Sequence, residues 1–314
     1  MIGRDPNLKV STADDGFHPP SSNDVTWIET MWFPFWVPEE GISASVRVWF
    51  SPNVRTEAGV GQQGGAVAGW KGASQGLFGD RWTEAFRTDP NLLDLQVGNS
   101  LSIECLTPLE HYRIRHAGSH SSLSLEFEAM MPPNPVAPEE SPGMFAGHFE
   151  QSGHVTGELV IRERKISIDC YSIRDRSWGP RQMPEELRLG NSHGACEDFA
   201  FFTYVNPTPD GVEKITSGYL LFDGVEAAIV EGIRETELRD GLPVSVKIEA
   251  VDATGRALRA RGTCRNVMAS NAGNGVYAVL NLIEWLHEDG RVSWGENHDV
   301  WSETAWLAAG RPKL

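Results

Sequence analysis

Apolar and polar residues alternate with a period of two wherever this chain shows a clear pattern. In Ser122–Met130 (SLSLEFEAM) every second residue is apolar, and Ile42–Phe50 and Val244–Val251 follow the same rule. This period places apolar side chains on one face of a β-strand and polar ones on the other. Helical patterns are scarce. Val225–Arg239 stays open between helix and strand, because Gly232 and several β-branched residues interrupt a helical reading.

Many short strands without intervening helices favour β-barrels or β-sandwiches. Met131–Gly143 contains five prolines, which leaves few amide donors for a sheet. We therefore predict an all-β chain with an N-terminal β-barrel domain at 1–131, a proline-rich linker at 132–143 and a C-terminal β-barrel domain at 144–314. The glycine-rich stretch Gly59–Gly79 is predicted to be a long mobile loop, which either covers a site or is a plain surface excursion.

Composition excludes several classes of partner. The formal net charge is −16 and no Lys/Arg cluster stands out, so nucleic acid and anionic membranes are poor partners. No apolar run has the length of a membrane span or the form of a signal peptide, so we expect a cytoplasmic protein. The sequence is compatible with a homo-oligomer. Eleven tryptophans suit a broad cavity for a hydrophobic small molecule, although tryptophan also fills ordinary β cores.

Three motifs match known signatures only by letter. Gly59–Gly64 fits GxGxxG but lacks the strand and helix that a dinucleotide site needs. Gly190–Gly194 fits GxSxG, yet Phe199–Val205 after it reads as a strand instead of the helix of a nucleophile elbow. His116 and His120 flank a turn, and the four cysteines form no CxxC pair. We therefore expect no metal, no cofactor and no serine nucleophile.

The segment His148–Arg181 carries the strongest chemical signal. His148 and Glu150 are two residues apart, so a strand projects both from one face. If the chain stays extended through RDRSWGPR, Tyr171 and Asp175 share one face as well. A phenol and a carboxylate beside a His–Glu pair are groups that transfer protons in enzymes. The alternative is an ion-pair network that closes a barrel end, with Asp175 bonded to an arginine.

The run HFEQSGHVTGEL…IDCYSIRDRSWGPR resembles the H-x-E…G-x-RDxSWGxR signature of a bacterial family related to the carotenoid hydratases (hydroxyneurosporene synthases). The segments PLEHYRIRHAG, LSLEFEAMMPP and WGENHDVW extend the likeness over most of residues 80–301. The resemblance implies two lipocalin-like β-barrel domains and hydratase, dehydratase, cyclase or isomerase chemistry on isoprenoid or polyketide skeletons. Related sequences occur among degraders of lignin-derived aromatic dimers. Arg176 stands where we expect His, which leaves His148 and His193 as proton carriers.

We therefore expect a cofactor-independent lyase, hydratase or isomerase that acts by acid–base catalysis on an apolar small molecule, with loss of water or formaldehyde as one outcome. The alternative is a non-catalytic, lipocalin-type binding protein for a hydrophobic ligand. The predicted catalytic residues are Asp175, His148, Tyr171 and His193, and the predicted substrate-binding residues are Trp178, Arg174, Arg181, Glu150 and Glu296.

Two of these assignments depend on local geometry. Trp178 is expected to line the cavity, which requires a turn at Arg176–Gly179 that Gly179-Pro180 makes plausible. Glu296 and His298 share strand parity, so they form either a second acid–base pair or part of a barrel closure.

Overall fold

The computed structural model describes residues 8–57, 61–72, 76–138, 143–273, 275–311 and 313. Strands dominate this part of the chain, which confirms the predicted all-β class. The strands are β1 (Trp27–Val37), β2 (Ile42–Ser51), β3 (Gly61–Lys71), β4 (Gly76–Phe86), β5 (Asp94–Val97), β6 (Leu101–Thr107), β7 (His111–Ala117), β8 (Ser121–Ala129), β9 (Asn134–Val136), β10 (Gly147–Ile161), β11 (Arg164–Pro180), β12 (Arg188–Cys196), β13 (Phe199–Val205), β14 (Val212–Phe222), β15 (Val225–Arg239), β16 (Leu242–Asp252), β17 (Ala257–Cys264), β18 (Met268–Gly273), β19 (Val276–His287) and β20 (Val292–Ser302). Short helices are η1 (Thr12–Asp15), η2 (Pro38–Glu40) and α1 (Glu303–Ala308).

The first sheet is an antiparallel half-barrel. Its order is β4-β3-β2-β1-β11-β10-β8-β7-β6-β5, and β9 pairs with β10. The curled sheet surrounds an apolar core to which most strands contribute alternate residues, among them Phe33, Val48, Leu125 and Phe127. The period-two pattern of the sequence corresponds to this face. Residues of opposite parity on β1, β2, β10 and β11 face the second sheet.

The second sheet closes into a barrel of eight strands. Its order is β17-β16-β15-β14-β13-β12-β20-β19, and pairing between β17 and β19 completes the circle. Strand β15 settles the open case of Val225–Arg239 as a strand. Phe201, Ile248 and Trp285 belong to the apolar core of the barrel, so side chains fill its interior. Both sheets are consistent with the lipocalin-like architecture that the resemblance implies.

The change from one sheet to the other falls after Pro180, not within the proline-rich segment. Strand β11 pairs with both β1 and β10, which places residues 147–180 in the first sheet. Within the proline-rich segment, β9 adds Asn134 opposite Glu150 at the edge of β10. The division at residues 132–143 therefore remains a proposal about independent folding units, and strand pairing does not follow it.

The glycine-rich stretch was predicted to be a loop, and this prediction is wrong for nearly all of its described residues, which form the whole of β3 and the start of β4. The glycines make room for aromatic rings from neighbouring strands. A Cβ atom on Gly64 would lie 2.1 Å from the Trp49 ring, and one on Gly65 would lie 2.5 Å from the Trp82 ring. Glycine is used here for close packing against a ring. Gly59 lies outside the described residues.

The half-barrel and the barrel face each other along β1, β2, β10 and β11 on one side and β12, β13, β14 and β20 on the other. The Ser152 and Tyr219 hydroxyls are 2.8 Å apart across this boundary, and the Trp36 and His193 ring centroids are 5.7 Å apart. No helix in the described part of the chain is both long and apolar enough to cross a bilayer.

Candidate functional site

Strand β11 sends the side chains of RDRSWGPR to two opposite faces. Arg174 and Arg176 point into the half-barrel and are fully buried there. Asp175 and Ser177 project from the other face, toward the barrel, because side chains alternate along a strand. The face that Asp175 shares with His148 and Glu150 is the one predicted from the sequence, since Glu150 lies opposite Asp175 in the ladder.

The two buried arginines are held by structural ion pairs. Arg174 donates through Nη1 to Asp15 Oδ1 at 3.0 Å and through Nε to Gln151 Oε1 at 2.6 Å. Arg176 pairs with Glu29 and donates to the carbonyl of Asp15 at 2.9 Å. Arg174 therefore lies on the face of β11 opposite to Asp175, and its substrate-binding role stays a prediction without structural support. The alternative of an ion-pair network in this segment is correct in part. Its carboxylates are Asp15 and Glu29, and Asp175 pairs with neither Arg174 nor Arg176.

Trp178 lies on the face of β11 opposite to Asp175, so the expected turn does not bring it to the cavity, and its substrate-binding role stays a prediction. Its ring stacks on His18 with centroids 3.6 Å apart and packs edge-on against Phe149. His18 is held in turn by Glu29, with Nδ1 and Oε1 3.0 Å apart. The predicted turn is absent because β11 continues to Pro180 and keeps Trp178 on the face of Arg174 and Arg176.

A hydrogen-bonded triad joins the two sheets at the centre of their contact. The Tyr204 hydroxyl donates to Glu150 Oε1 at 2.7 Å, and His148 Nε2 lies 2.8 Å from the same oxygen and 2.6 Å from the hydroxyl. Burial raises the pKa of Glu150 to about 8, although the hydrogen bond from Tyr204 acts in the opposite direction. Glu150 is therefore mostly protonated at neutral pH.

Asp175 is the neighbour of this triad on β11. Directly paired residues on one face of a sheet lie close enough for their side chains to interact. Burial raises the pKa of Asp175 to about 7, and so does repulsion from Glu150 in its ionised form, against the lowering effect of His148, Arg47 and Arg181. A carboxyl with this pKa is present in both protonation states near neutral pH, which suits a group that gives and takes protons.

Two arginines flank Asp175. Trp32 of β1 is paired with Arg47 of β2 on one side and with Asp175 of β11 on the other. Arg181 directly follows β11, and its guanidinium donates to Ser177 Oγ at 2.5 Å. Burial lowers the pKa of Arg181 to about 10 and also lowers that of Arg47. Arg47 nevertheless keeps a large accessible surface. Arg47 thus lies beside buried groups in the region between the two sheets, while part of its own surface stays accessible.

We call this space the inter-sheet recess and define it by Asp175, His148, Glu150, Tyr204, Arg47, Arg181, Trp32, Trp36, His193, Glu296 and His298.

The barrel side of the recess carries three uncharged titratable groups. His193 on β12 and Glu296 on β20 are directly paired, and His298 lies 5.8 Å from the Trp32 ring, centroid to centroid. Burial raises the pKa of Glu296 to about 8 and lowers the pKa of His193 to about 3. Burial and then the charge of Arg47 lower the pKa of His298 to about 4. His193 lies within strand β12.

Several polar atoms of this group have no hydrogen-bond partner within the described parts of the chain. They are both carboxyl oxygens of Glu296 and Nε2 of His193. Buried polar atoms in folded proteins are nearly always satisfied, so such atoms indicate places for water or a ligand. Glu296 therefore fits the predicted binding role better than it fits a barrel closure.

Tyr171 is not brought to Asp175, although both residues share a face of β11. It lies four residues away along the strand and stacks on His154 with centroids 4.5 Å apart. Its side chain is partly exposed, and the groups that influence its pKa are Glu197 and Asp169 rather than members of the recess. Tyr171 therefore does not join Asp175 in the structure, and its catalytic role stays a prediction without structural support.

Neither Arg47 nor Tyr204 was singled out from the sequence. Both alternate with apolar neighbours along their strands, and no motif marks them. One signal was available for Arg47: it is the one charged residue of Ile42–Phe50 and lies on the polar face of that strand. The structure thus unites six predicted residues in the recess, namely Asp175, His148, Glu150, Arg181, His193 and Glu296, and leaves Arg174, Trp178 and Tyr171 outside.

One group of side chains elsewhere has the composition of a metal site. The ligand atoms of His111, Glu126 and Glu128 lie within 4.8 Å of one another on β7 and β8. Arg113 occupies the same carboxylate, with its guanidinium 3.0 Å from Glu126, and would compete with a cation. The GxGxxG residues that are described, Gly61 and Gly64, lie inside β3 and precede another strand, which is not the geometry of a phosphate loop.

Known proteins share this architecture at low sequence identity. The chain is similar to the crystal structure of an AttH-like protein from Nitrosomonas europaea, with a TM-score of 0.66, 14% identity, and coverage of 96% of this chain and 98% of the other. It is also similar to kievitone hydratase from Nectria haematococca, with a TM-score of 0.53, 10% identity, and coverage of 97% and 96%. These similarities show a common fold. No curated protein matches the sequence significantly.

One family model covers nearly the whole chain. It describes a domain of unknown function, DUF7064, and matches residues 11–307. The matched range includes both sheets and every residue of the recess. The chain belongs to the DUF7064 family.

Proposed function

We propose that this protein is an enzyme that adds water to an apolar small molecule, or removes it, by proton transfer within the inter-sheet recess. One observation carries the proposal: Asp175, with a pKa near 7, lies beside the buried Glu150–His148–Tyr204 triad and is paired with Trp32 in the ladder. A titrating carboxyl with hydrogen-bonded proton carriers in a buried space is the arrangement of general acid–base sites. The fold shared with kievitone hydratase supports the reaction class.

Asp175 is the general acid in the hydration direction. Its carboxyl gives a proton to one carbon of a double bond, and a water molecule forms a bond to the other carbon. The adding water loses a proton to the Glu150–His148–Tyr204 triad, which returns it to the Asp175 carboxylate. Water is the only co-reactant, and the protein ends in its starting protonation state. Such proton transfers contribute about 10²–10⁴ in rate.

The aromatic wall has its own role in this scheme. Protonation of a double bond leaves a positive charge on the neighbouring carbon. The indole rings of Trp32 and Trp36 lie near His298 and His193 at the recess, and an indole face attracts a cation. The same rings exclude bulk water, which limits the nucleophile to a molecule bound by polar atoms such as those of Glu296. In the reverse direction the same groups remove a hydroxyl as water.

We further propose an isoprenoid, polyketide or lignin-derived aromatic dimer as substrate, without a bound metal or organic cofactor. Release of formaldehyde from a hydroxymethyl group is the second reaction that this proton-transfer set can serve. A carrier function is less well supported, because Phe201, Ile248 and Trp285 fill the closed barrel and because a carrier has no need for titrating groups at its ligand.

The test is incubation of the purified protein with a panel of these compounds in ¹⁸O-labelled water, followed by mass spectrometry. We expect one panel member to gain or lose water, with ¹⁸O entering the product when water is gained. Loss of formaldehyde would assign the second reaction. Tight binding of panel members with no change in mass would contradict the proposal and favour the carrier.

A further inference from the structure

The two arginines of the recess differ from the fully buried arginines of the fold. Arg174, Arg176 and Arg234 each form an ion pair with a buried carboxylate, at N–O distances of 3.0 Å for Arg174 and Arg234. In the described ranges, no carboxylate oxygen lies within ion-pair distance of Arg47 or Arg181. The hydrogen bonds of the Arg181 guanidinium go to the hydroxyls of Ser177 and Thr30, and its Nε has no partner.

The titratable neighbours do not neutralise these two charges. Glu150 and Glu296 are mostly protonated at neutral pH, and His193 and His298 are uncharged there. Asp175 alone supplies part of one negative charge.

A third arginine adds to the positive charge nearby. The Arg81 guanidinium of β4 lies over the Trp49 ring, 5.1 Å from its centroid. Its positive charge repels that of Arg47 and lowers the pKa of Arg47. The recess is therefore electropositive inside a chain of net charge −16.

Arg47 is exposed and Arg181 is half-buried, so neither pays the full cost of a buried charge, and both can take a negatively charged partner from a ligand. A planar guanidinium matches a carboxylate through two parallel hydrogen bonds. Trp32 lies between Arg47 and Asp175 in the ladder and packs on the apolar cluster of Trp70 and Leu280. A flat apolar group on Trp32 would thus have an arginine at one end and the proton donor at the other.

We propose that Arg47 and Arg181 bind a carboxylate of the substrate, so that the substrate is an apolar carboxylic acid with an aromatic or isoprenoid body. This inference rests on the proposed function, because it names the substrate class of the same recess. It also separates the roles of the charged groups: the arginines hold the acid, and Asp175 with the triad acts on the carbon skeleton.

The test measures binding of matched acids and amides by isothermal titration calorimetry at pH 7.5. The probes are trans-cinnamate with cinnamamide, and 4-phenylbutyrate with 4-phenylbutyramide, which differ in charge but hardly in shape. We expect the wild type to bind at least one acid about tenfold or more tightly than its amide, as one charge-assisted hydrogen bond predicts. Arg47→Gln and Arg181→Gln should each remove most of that preference.

The matched control is Arg259→Gln, which removes an exposed arginine that pairs with Glu288 on the barrel. It should keep the preference for the acid. Equal binding of acid and amide by the wild type, no binding of either acid, or an unchanged preference in both recess variants would overturn the inference. The wild-type comparison stands even if a variant fails to fold. Because turnover is not measured, failure here leaves the chemistry of Asp175 to its own test.

Discussion

The Tyr204 hydroxyl donates a hydrogen bond to the Glu150 carboxyl at 2.7 Å, and this contact joins β13 of the barrel to β10 of the half-barrel. Both groups are buried, and His148 lies within hydrogen-bond distance of each. The proton-transfer group therefore does not belong to either sheet alone. It exists only when the sheets are packed together, which explains why no single sequence motif contains it.

Replacement of Tyr204 by phenylalanine tests the role of this contact. We expect Tyr204→Phe to lower turnover by about ten- to a hundredfold, because the triad loses one of its proton carriers. Tyr219→Phe is the matched control, since its hydroxyl also crosses between the sheets, 2.8 Å from Ser152. Tyr219→Phe loses its contact with Ser152, and Tyr204→Phe loses those with Glu150 and His148, at about 1 kcal/mol of stability for each hydrogen bond. Equal rates in the two variants would show that the contact at Tyr204 only holds the sheets together.

The raised pKa of Glu296 predicts how stability depends on pH. In the folded protein this pKa is about 8 because of burial, against an ordinary value of 4.5. Between these values the folded chain keeps a proton that the unfolded chain releases. The contribution of the protonated Glu296 carboxyl to the stability of the fold is therefore complete below about pH 4.5 and is lost as pH rises through 8.

Glu296→Gln should remove this loss while the side chain keeps its shape. Relative to the wild type, we expect the variant to gain stability on the order of 3 kcal/mol between pH 5 and 9, with Glu150 and Asp175 still titrating in both proteins. The measurement is urea unfolding across this pH range. A constant difference between the two proteins would mean that Glu296 titrates normally.

Arg174 and Arg176, the residues of RDRSWGPR that point into the half-barrel, should have a structural role only. Asp15→Asn removes the carboxylate that pairs with buried Arg174, and loss of one partner of a buried ion pair costs about 3–5 kcal/mol. Turnover per folded molecule should stay near the wild-type value, because both arginines are directed away from the recess. Glu158→Gln, which breaks an exposed pair with Lys165, should change neither property. A stable but inactive Asp15→Asn protein would contradict the separation of the two faces.

How far the sequence leads can be judged from particular residues. Period-two alternation was sufficient to predict that the chain is built of strands. It also placed His148, Glu150 and Asp175 correctly on one face of the sheet. The same rule, followed without the assumed turn, would have placed Trp178 with the structural arginines. Gly64 and Gly65 were read as loop residues because composition does not show that a ring from the next strand covers them. Arg47 and Tyr204 come from different sheets, and only the packing of those sheets brings them to Asp175.

Removal of metal ions should leave activity unchanged if side chains alone transfer the protons. The expected result is the same turnover before and after exhaustive dialysis against EDTA, with the rate measured in metal-free buffer. A reversible loss that returns with one divalent metal would contradict the proposed chemistry. His111→Ala would then test whether the exposed His111–Glu126–Glu128 group is the site concerned.

The most direct test of the central claim is turnover and thermal midpoint of Asp175→Asn, measured together on the panel compound that the wild type converts. Asparagine keeps the shape but cannot exchange a proton, so we expect the rate to fall at least about a hundredfold. The midpoint should be unchanged or higher at pH 8, where burial disfavours the charged carboxylate that the variant lacks. Asp169→Asn, an exposed change on the same strand, should behave as the wild type. An Asp175→Asn protein that stays active but unfolds at a much lower temperature would show that Asp175 is structural, and would contradict the account.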